Sequence, residues 1–398
     1  MICLFEDHLT GNFYPVSLTH HLSDLLVGAR TLRARAMRAT GDHDVTIHGR
    51  AYIREYYAAA RENVERPIVP TTFLNARVPF NGALIDHFPD QPEWIARRDG
   101  VTIAARLLPE TIAALDWDAD ALDFSALDGI PVVDLAVAAP YEYLWDLIYD
   151  NGARIAEDFP LASSSGGTVM NGAHCIAGER IVIGEGSVVK PGCVIDASHG
   201  PVIIGRDVEV MPNAVIEGPC SIGEGSRIKI GAKIYEGTSI GPHCKVGGEV
   251  ENSIILGYSN KQHDGFLGHS YLGCWVNLGA DTNTSDLKNN YGTIRVVLDG
   301  MQIDTGRMFL GSLIGDQSKT GINTMLNTGT VIGVAANIFG GGFPEKSIPS
   351  FAWGGFGEAE RFRLEDAIEL SRRVAARRGI MFGPANETLL RYLYERSR

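Results

Sequence analysis

A parallel β-helix, preceded by a mixed α/β domain and followed by a short helical tail, is the fold class predicted by this 398-residue sequence. Three observations predict it. An apolar residue returns every six positions at Ile204, Val210, Ile216, Ile222, Ile228, Ile234, Ile240 and Val246, with Ile183, Val189 and Ile195 in step just before. Glycine follows that residue at Ile183, Ile204, Ile222, Ile240 and Val246. The two ends of the chain lack the period and read as short strands and amphipathic helices. A six-residue repeat fits neither the 3.6 period of a helix nor the two-residue period of a strand; hexapeptide repeats stack into β-helices. The left-handed form is the one associated with an aliphatic-led hexad.

Residues 1–160 read as the α/β domain. Ile2-Cys3-Leu4-Phe5 suits a buried strand, and Leu22 to Arg38 has helical spacing. Val45-Thr46-Ile47, Phe73 to Val78 and Pro131-Val132-Val133 read as further strands. Tyr141 to Asp158 reads as a helix with Leu144, Leu147, Ile148 and Ile155 on one face. Ser163-Ser164-Ser165-Gly166-Gly167 marks a boundary. The β-helix domain is placed at 168–356, roughly nine coils of ~18 residues less their loops. Ala359 to Arg378 and Glu387 to Ser397, within a tail at 357–398, read as helices that cap the last coil.

Composition narrows the function. The 48 acidic and 35 basic residues leave a net charge of −13 without long runs, which argues against nucleic-acid and membrane-surface partners. No stretch approaches ~18 unbroken apolar residues, and the first residues lack a signal-peptide pattern, so a cytoplasmic location is expected. Cys175, Cys193, Cys220 and Cys244 each lie two residues before a hexad-phase position, a slot filled elsewhere mostly by Ser, Ala or Thr. They read as packing residues inside the coil, and no C-x-x-C spacing suggests metal.

The period fails twice, from Gly247 to Leu278 and from Asp281 to Arg307, and failures in a solenoid read as loops able to carry chemistry. The first holds His263 and His269. A histidine takes up a proton near neutral pH and suits a general base for an amine nucleophile. A lone histidine on a β-helix is more often structural.

The order Leu256-Gly257, His263-Asp264-Gly265-Phe266-Leu267-Gly268 and Val276-Asn277-Leu278-Gly279-Ala280-Asp281-Thr282 resembles the acetyltransferase half of the GlmU family (glucosamine-1-phosphate acetyltransferase / N-acetylglucosamine-1-phosphate uridylyltransferase). From His263 to Ala280 the spacing matches without a gap. The resemblance implies that His263 is the catalytic base, that Phe266 stands for a family tyrosine, and that Asn277 binds substrate. Arg227-Ile228-Lys229-Ile230-Gly231 places Lys229 where the family holds the sugar phosphate, as a point charge rather than an Arg fork. Lys261 is a further cation for the anionic substrate. Asn290-Tyr291 resembles the coenzyme-contacting pair, although four extra residues intervene. The Ala280 N–H would face the developing oxyanion. One family lysine is lost near Glu249-Val250-Glu251-Asn252; another falls at Gly311, with Arg307 as its substitute. His269 has no counterpart and reads as a surface or supporting residue.

The first domain resembles a sugar nucleotidyltransferase through Phe13 to Thr19 and Leu26 to Leu32. The Gly-rich loop that would cradle phosphates is Glu6 to Asn12 here, with the single glycine Gly11, and a family Lys-Pro is replaced by His20-His21-Leu22. Asp24 and Asp86 are Mg²⁺ candidates by residue type alone. Gly340-Gly341-Gly342-Phe343-Pro344 extends the likeness to a subgroup with a shortened first domain. The resemblance implies acetyl-CoA as co-substrate, a small sugar phosphate as acceptor, a homotrimer with sites between subunits, and no metal for the acyl transfer; Mg²⁺ matters if the first domain is active. Acetyl transfer to an amino-sugar phosphate is the leading expectation. Nucleotidyl transfer to a sugar 1-phosphate and a non-catalytic sensor or scaffold are the alternatives.

Overall fold

The computed structural model describes residues 1–161, 166–357 and 360–397. Ser163 to Ser165 of the expected boundary and Ala359 lie outside them. Six strands form the N-terminal sheet: β1 (Ile2–Phe5), β2 (Val45–His48), β3 (Thr71–Asn75), β4 (Trp94–Arg98), β5 (Val101–Leu107) and β6 (Val132–Asp134), ordered β2-β1-β3-β5-β4-β6. Strand β1 is parallel to β2 and β3, whereas β5 runs antiparallel to β3 and β4. The β4–β5 hairpin turns at Asp99-Gly100, both at positive φ (48° and 80°), a two-residue hairpin signal legible in the sequence.

The helix expected over Leu22 to Arg38 is corrected. A tight hairpin pairs Leu26–Val27 with Arg30–Thr31, and helix α1 spans Leu32–Thr40. Gly28 makes the turn at φ +70°, and a Cβ there would lie 2.8 Å from the Arg154 backbone. Thr31 Oγ1 then accepts the Ala34 N–H at 3.2 Å and starts the helix. Helices α2 (Ala51–Ala59) and α3 (Leu144–Asp158) are the domain's other long helices, beside two single turns at Gly82–Ile85 and Pro109–Ile112.

The β-helix is present, with parallel strands on three faces. The first face runs from Thr168–Val169 to Asn260–Lys261, the second from His174–Ile176 to Phe266–Gly268, and the third carries nine strands from Ile181–Ile183 to Ser347–Ile348. On the third face Ile204 pairs with Ile222 and Ile222 with Ile240, a step of 18. The hexad residues stack into one continuous core along the axis.

The two failures of the period have different causes. Ser239 pairs with Ile254 and Lys245 with Asn260, a step of 15, so the first is a coil shortened by three residues and not a loop. Tyr271 pairs with Leu313, a step of 42, so the second is a true insertion; its tip is the hairpin Arg295–Leu298 and Met301–Asp304. Cys193, Cys220 and Cys244 are buried as expected. Cys175 is exposed, a correction: it pairs with Ile195 on the first strand of its face, and among the described residues no coil lies beneath.

The C-terminal helices are α4 (Leu364–Ala376) and α5 (Pro384–Arg396). Strand Glu360–Arg361 covers the edge of Ala352–Trp353 near the last coil. The helices do not sit over the open end as expected but fold back along the side, where Tyr392 stacks on Tyr52 of α2 at 4.3 Å. Among the described residues no helix is long and apolar enough to cross a membrane.

The N-terminal domain lies against the third face. Leu22, Leu25, Val27, Leu144, Leu147 and Ile148 share one core with Ile254, Tyr271, Leu313 and Val331 of that face. Asn151 sits at its centre, fully buried. Its Oδ1 accepts the Gly28 N–H (2.7 Å) and the Ser239 hydroxyl (3.0 Å), and its Nδ2 donates to the Gly237 carbonyl (2.7 Å). Asn151→Leu should cost about 3 kcal/mol, because it strands buried polar groups on both sides of the seam. Urea unfolding of the full chain measures this, and a loss below 0.5 kcal/mol (roughly the surface-substitution range) would contradict the hub role.

Candidate functional site

The corner where the chain turns from the first face to the second carries Lys229, His263 and Ala280. Ile228 pairs with Val246 and Val246 with Lys261, so the residues that follow, Lys229, Gly247 and Gln262, stack coil on coil. A Cβ on Gly247 would lie 2.9 Å from the Lys229 Cβ and 2.8 Å from the Gln262 carbonyl oxygen, so glycine there lets the two coils close. Lys229 thus sits two coils, about 10 Å, from Gln262. His263 follows Gln262 and is exposed, and its imidazole has no hydrogen-bond or ion-pair partner among the described residues. One coil further on, the Asp281 N–H donates to the Asp264 carbonyl (3.1 Å), placing Ala280 beside the His263 turn; the Ala280 carbonyl accepts from Asn323 (2.8 Å).

Lys261 is a correction. It occupies the inward position held by Ile228 and Val246 on the preceding coils and is 2 % exposed. Its ammonium donates to the His263 carbonyl at 2.8 Å instead of facing a substrate. Burial pushes it down to about 8, against the pull of Asp264, Asp281 and Glu249. Gly248 leaves room for it: a Cβ there would stand 2.6 Å from Nζ. Lys261 therefore fixes the His263 turn from inside the coil.

Asn277 lies on the first face, its Oδ1 3.3 Å from Asn260 Nδ2. It lines a cavity of about 240 Å³ together with Gln262, Tyr258, Trp275, Lys245, Lys319, Arg377 and Arg378. Arg378, just past α4, donates to Asn260 Oδ1 (2.8 Å) and the His243 carbonyl (3.1 Å), which closes one wall. Tyr258 and Trp275 stack at 4.3 Å, 8° from parallel. Burial holds Lys319 down to about 8, and burial with nearby arginines lowers Lys245. This concentration of cations in an acidic chain suits an anionic ligand, and composition alone gives no sign of it.

The remaining candidates fall elsewhere. The Phe266 ring folds over Gly268 on the second face, and its backbone N–H donates to Asn283 Oδ1 (2.8 Å). Asn290 and Tyr291 are on the insertion at the second-to-third corner; Asn290 Oδ1 caps the Gly292 N–H, and Tyr291 is exposed. Arg307, expected as a coenzyme contact, packs over the Tyr149 ring at 4.3 Å and pairs with Asp146 at 3.5 Å, held to α3 by cation–π and charge attraction. His269, set aside in the sequence, makes a His–carboxylate pair with Asp286 (2.8 Å) and stacks on Phe309. The partners lie one 17-residue coil apart, a spacing visible once the coil length is known.

In the N-terminal domain the residues after β1 are bound by salt bridges. Glu6, fully buried, pairs with Arg50 at 2.9 Å and accepts the Leu22 N–H, and Asp7 pairs with buried Arg77 at 2.5 Å. Both carboxylates are held below their usual range by those arginines despite burial. Asp24 pairs with Arg33 (2.8 Å) and the Tyr57 hydroxyl, and Asp86 is exposed; the two are not brought into one metal-binding set among the described residues.

The depressed Lys261 gives a pH signature. Between pH 8 and about 10.5 the unfolded chain keeps a proton that the native chain has lost, so native stability rises with pH over that window. At pH 7 the buried charge costs at most about 3 kcal/mol. Lys261→Met should gain stability relative to wild type at pH 7.5, and the gain should shrink by pH 10. Urea midpoints that differ by a constant amount across the window would contradict this.

Residues 2–166 match the sugar nucleotidyl transferase family model, and residues 201–229 match the bacterial transferase hexapeptide (six repeats) model. Relatives include the bifunctional protein GlmU of a Synechococcus species, 31% identical over 169 residues, which is 42% of this chain and 32% of that protein. The GlmU of Synechococcus elongatus is 28% identical over 217 residues, covering 50% of this chain and 43% of that one. A bifunctional sugar-1-phosphate nucleotidylyltransferase/acetyltransferase of Sulfurisphaera tokodaii is 34% identical over 110 residues, 28% of this chain and 26% of that protein. The matches span about a third of the length of the first of these curated relatives. Both matched models describe transferases, and the pairing of a sugar nucleotidyl transferase-type segment with hexapeptide repeats is what makes this chain similar to the GlmU proteins over the matched residues.

Proposed function

We propose that the chain transfers an acetyl group from acetyl-CoA to the amine of an amino-sugar phosphate at the corner carrying His263. One observation carries the reading: an exposed, unpartnered imidazole stands on a rigid coil, one residue from the wall of a cationic cavity. His263 takes the amine proton as nitrogen attacks the thioester carbonyl. The N–C bond forms, the C–S bond breaks, and the coenzyme leaves as a thiol with the proton returned by His263. The Ala280 N–H faces the oxyanion. Lys229 and the cavity cations hold phosphate, and Asn277 orients the sugar. Asn290 and Tyr291, at a different corner, would meet the coenzyme from a second copy of the chain. Exposed Ile230 and Ile322, beside the His263 corner, give that copy an apolar surface to cover, in keeping with a trimer.

The family match over 2–166 favours a second reading, nucleotidyl transfer to a sugar 1-phosphate. The Glu6–Arg50 and Asp7–Arg77 pairs oppose it by occupying the loop that would receive phosphates.

Purified protein with acetyl-CoA and glucosamine 1-phosphate is expected to release free thiol. His263→Ala should lower kcat at least 100-fold, the scale of a lost general base. Arg378→Ala should raise KM with a smaller effect on kcat. Thiol release unchanged in His263→Ala would sink the assignment. Pyrophosphate release from UTP and N-acetylglucosamine 1-phosphate would move the activity to the first domain, and silence in both assays favours a sensor or scaffold.

A further inference from the structure

Away from the His263 corner, three metal-ligating side chains from distant parts of the chain converge. His20 comes from the N-terminal domain, ahead of the Leu22–Asp24 turn. Cys274 and Asp316 come from adjacent coils: Leu272 pairs with Ile314, so the residues two further on lie one above the other despite the insertion between them. The His20 Nε2, Cys274 Sγ and Asp316 carboxylate all lie within 4.8 Å of one another. Nε2 is 2.9 and 3.1 Å from the two Asp316 oxygens, and Oδ1 also accepts the Cys274 N–H at 2.9 Å.

A second observation points to a ligand. The cluster forms part of the wall of a cavity of about 320 Å³, closed on other sides by Tyr56, Trp275 and Phe382. Gln317, on the same wall, has a buried Oε1 with no hydrogen-bond partner. The cavity that the cluster opens onto thus carries an acceptor left unsatisfied by the chain itself, which a bound ligand or its water would pair.

We propose that His20, Cys274 and Asp316 bind one zinc-type divalent ion at the seam between the N-terminal domain and the β-helix. Nitrogen, thiolate and carboxylate together are a borderline donor set that suits zinc, and three protein ligands leave a fourth position open to the cavity. Tetrahedral zinc needs ligand atoms about 3.3–3.8 Å apart, so any pair near the 4.8 Å limit draws in by about 1 Å while the His20–Asp316 contact opens by a few tenths of an ångström. Binding displaces the Cys274 thiol proton and the proton shared by His20 and Asp316, both to solvent, and water or an anionic ligand group takes the open position. The ion would tie together segments that lie far apart in the sequence.

The full chain, stripped with a chelator and titrated with Zn²⁺ against a chromophoric competitor, is expected to bind one equivalent. Titration with Co²⁺ should give the near-ultraviolet thiolate-to-cobalt absorption. The isosteric Cys274→Ser should abolish that absorption and weaken Zn²⁺ binding at least tenfold. His20→Gln should weaken binding similarly while keeping the thiolate absorption at saturating cobalt. Zn²⁺ should raise the Tm of the wild type and leave that of Cys274→Ser unchanged. Binding below half an equivalent, binding unaltered in Cys274→Ser, or a cobalt spectrum without the thiolate absorption would overturn the proposal. None of these readouts depends on acetyl transfer.

Discussion

The burial of the third solenoid face beneath the N-terminal domain is the constraint on which the remaining arrangement depends. A β-helix normally shows water three outward faces, and here one of them is core. Its outward positions are accordingly small or apolar, Ser221 and Ser239 where α3 approaches closely, and Ile254, Tyr271, Leu313 and Val331 where the Leu22–Val27 segment lies. Apolar area provides the driving force, while Asn151 makes the docking specific, since its three bonds exist in one register alone. With that face covered and α4 lying against part of the first, the corner between the first and second faces is left for chemistry. The exposed His263 and the cation-lined cavity are found there.

The hexad made the fold readable because every inward residue of a coil repeats its neighbour's environment. Ile204 to Val246 could be assigned to a core without any coordinates, and the register agrees. The reading failed where one coil changes length. Counting 18 on from Val246 arrives at Asp264, whereas the actual step of 15 brings Lys261 inward. A lysine therefore stands in an aliphatic column, and a side chain expected to meet substrate meets the backbone of His263 instead. Length changes of this kind leave no local mark, because each strand is two or three residues long and its composition is unchanged.

The site was legible in part for the same reason. His263, Asn277 and Ala280 could be grouped because they fall on consecutive coils with a small, countable offset. Arg378 could not, since its approach to Asn260 depends on where α4 folds back, and that is decided by Tyr392, Leu389 and Leu393 packing against the N-terminal domain. The contacts of Arg307 were not legible either, because the aromatic and acidic partners that hold it, Tyr149 and Asp146, lie more than a hundred residues upstream. His20 carried a visible sign, standing where relatives are expected to hold a Lys-Pro, yet its partners Cys274 and Asp316 lie on either side of an insertion that hides their vertical stacking.

The shared third face also bears on how such a chain is divided. The family models cut it into an α/β unit and a repeat unit, as though the join were a linker. Physically the join is a surface. A repeat unit cut free at the boundary would carry a stripe of Ile254, Tyr271, Leu313 and Val331 into water, and the α/β unit would expose the matching leucines of α3. Each piece would carry into water the apolar surface that the other covers in the full chain, so the boundary between the two units is a packed interface and not a tether.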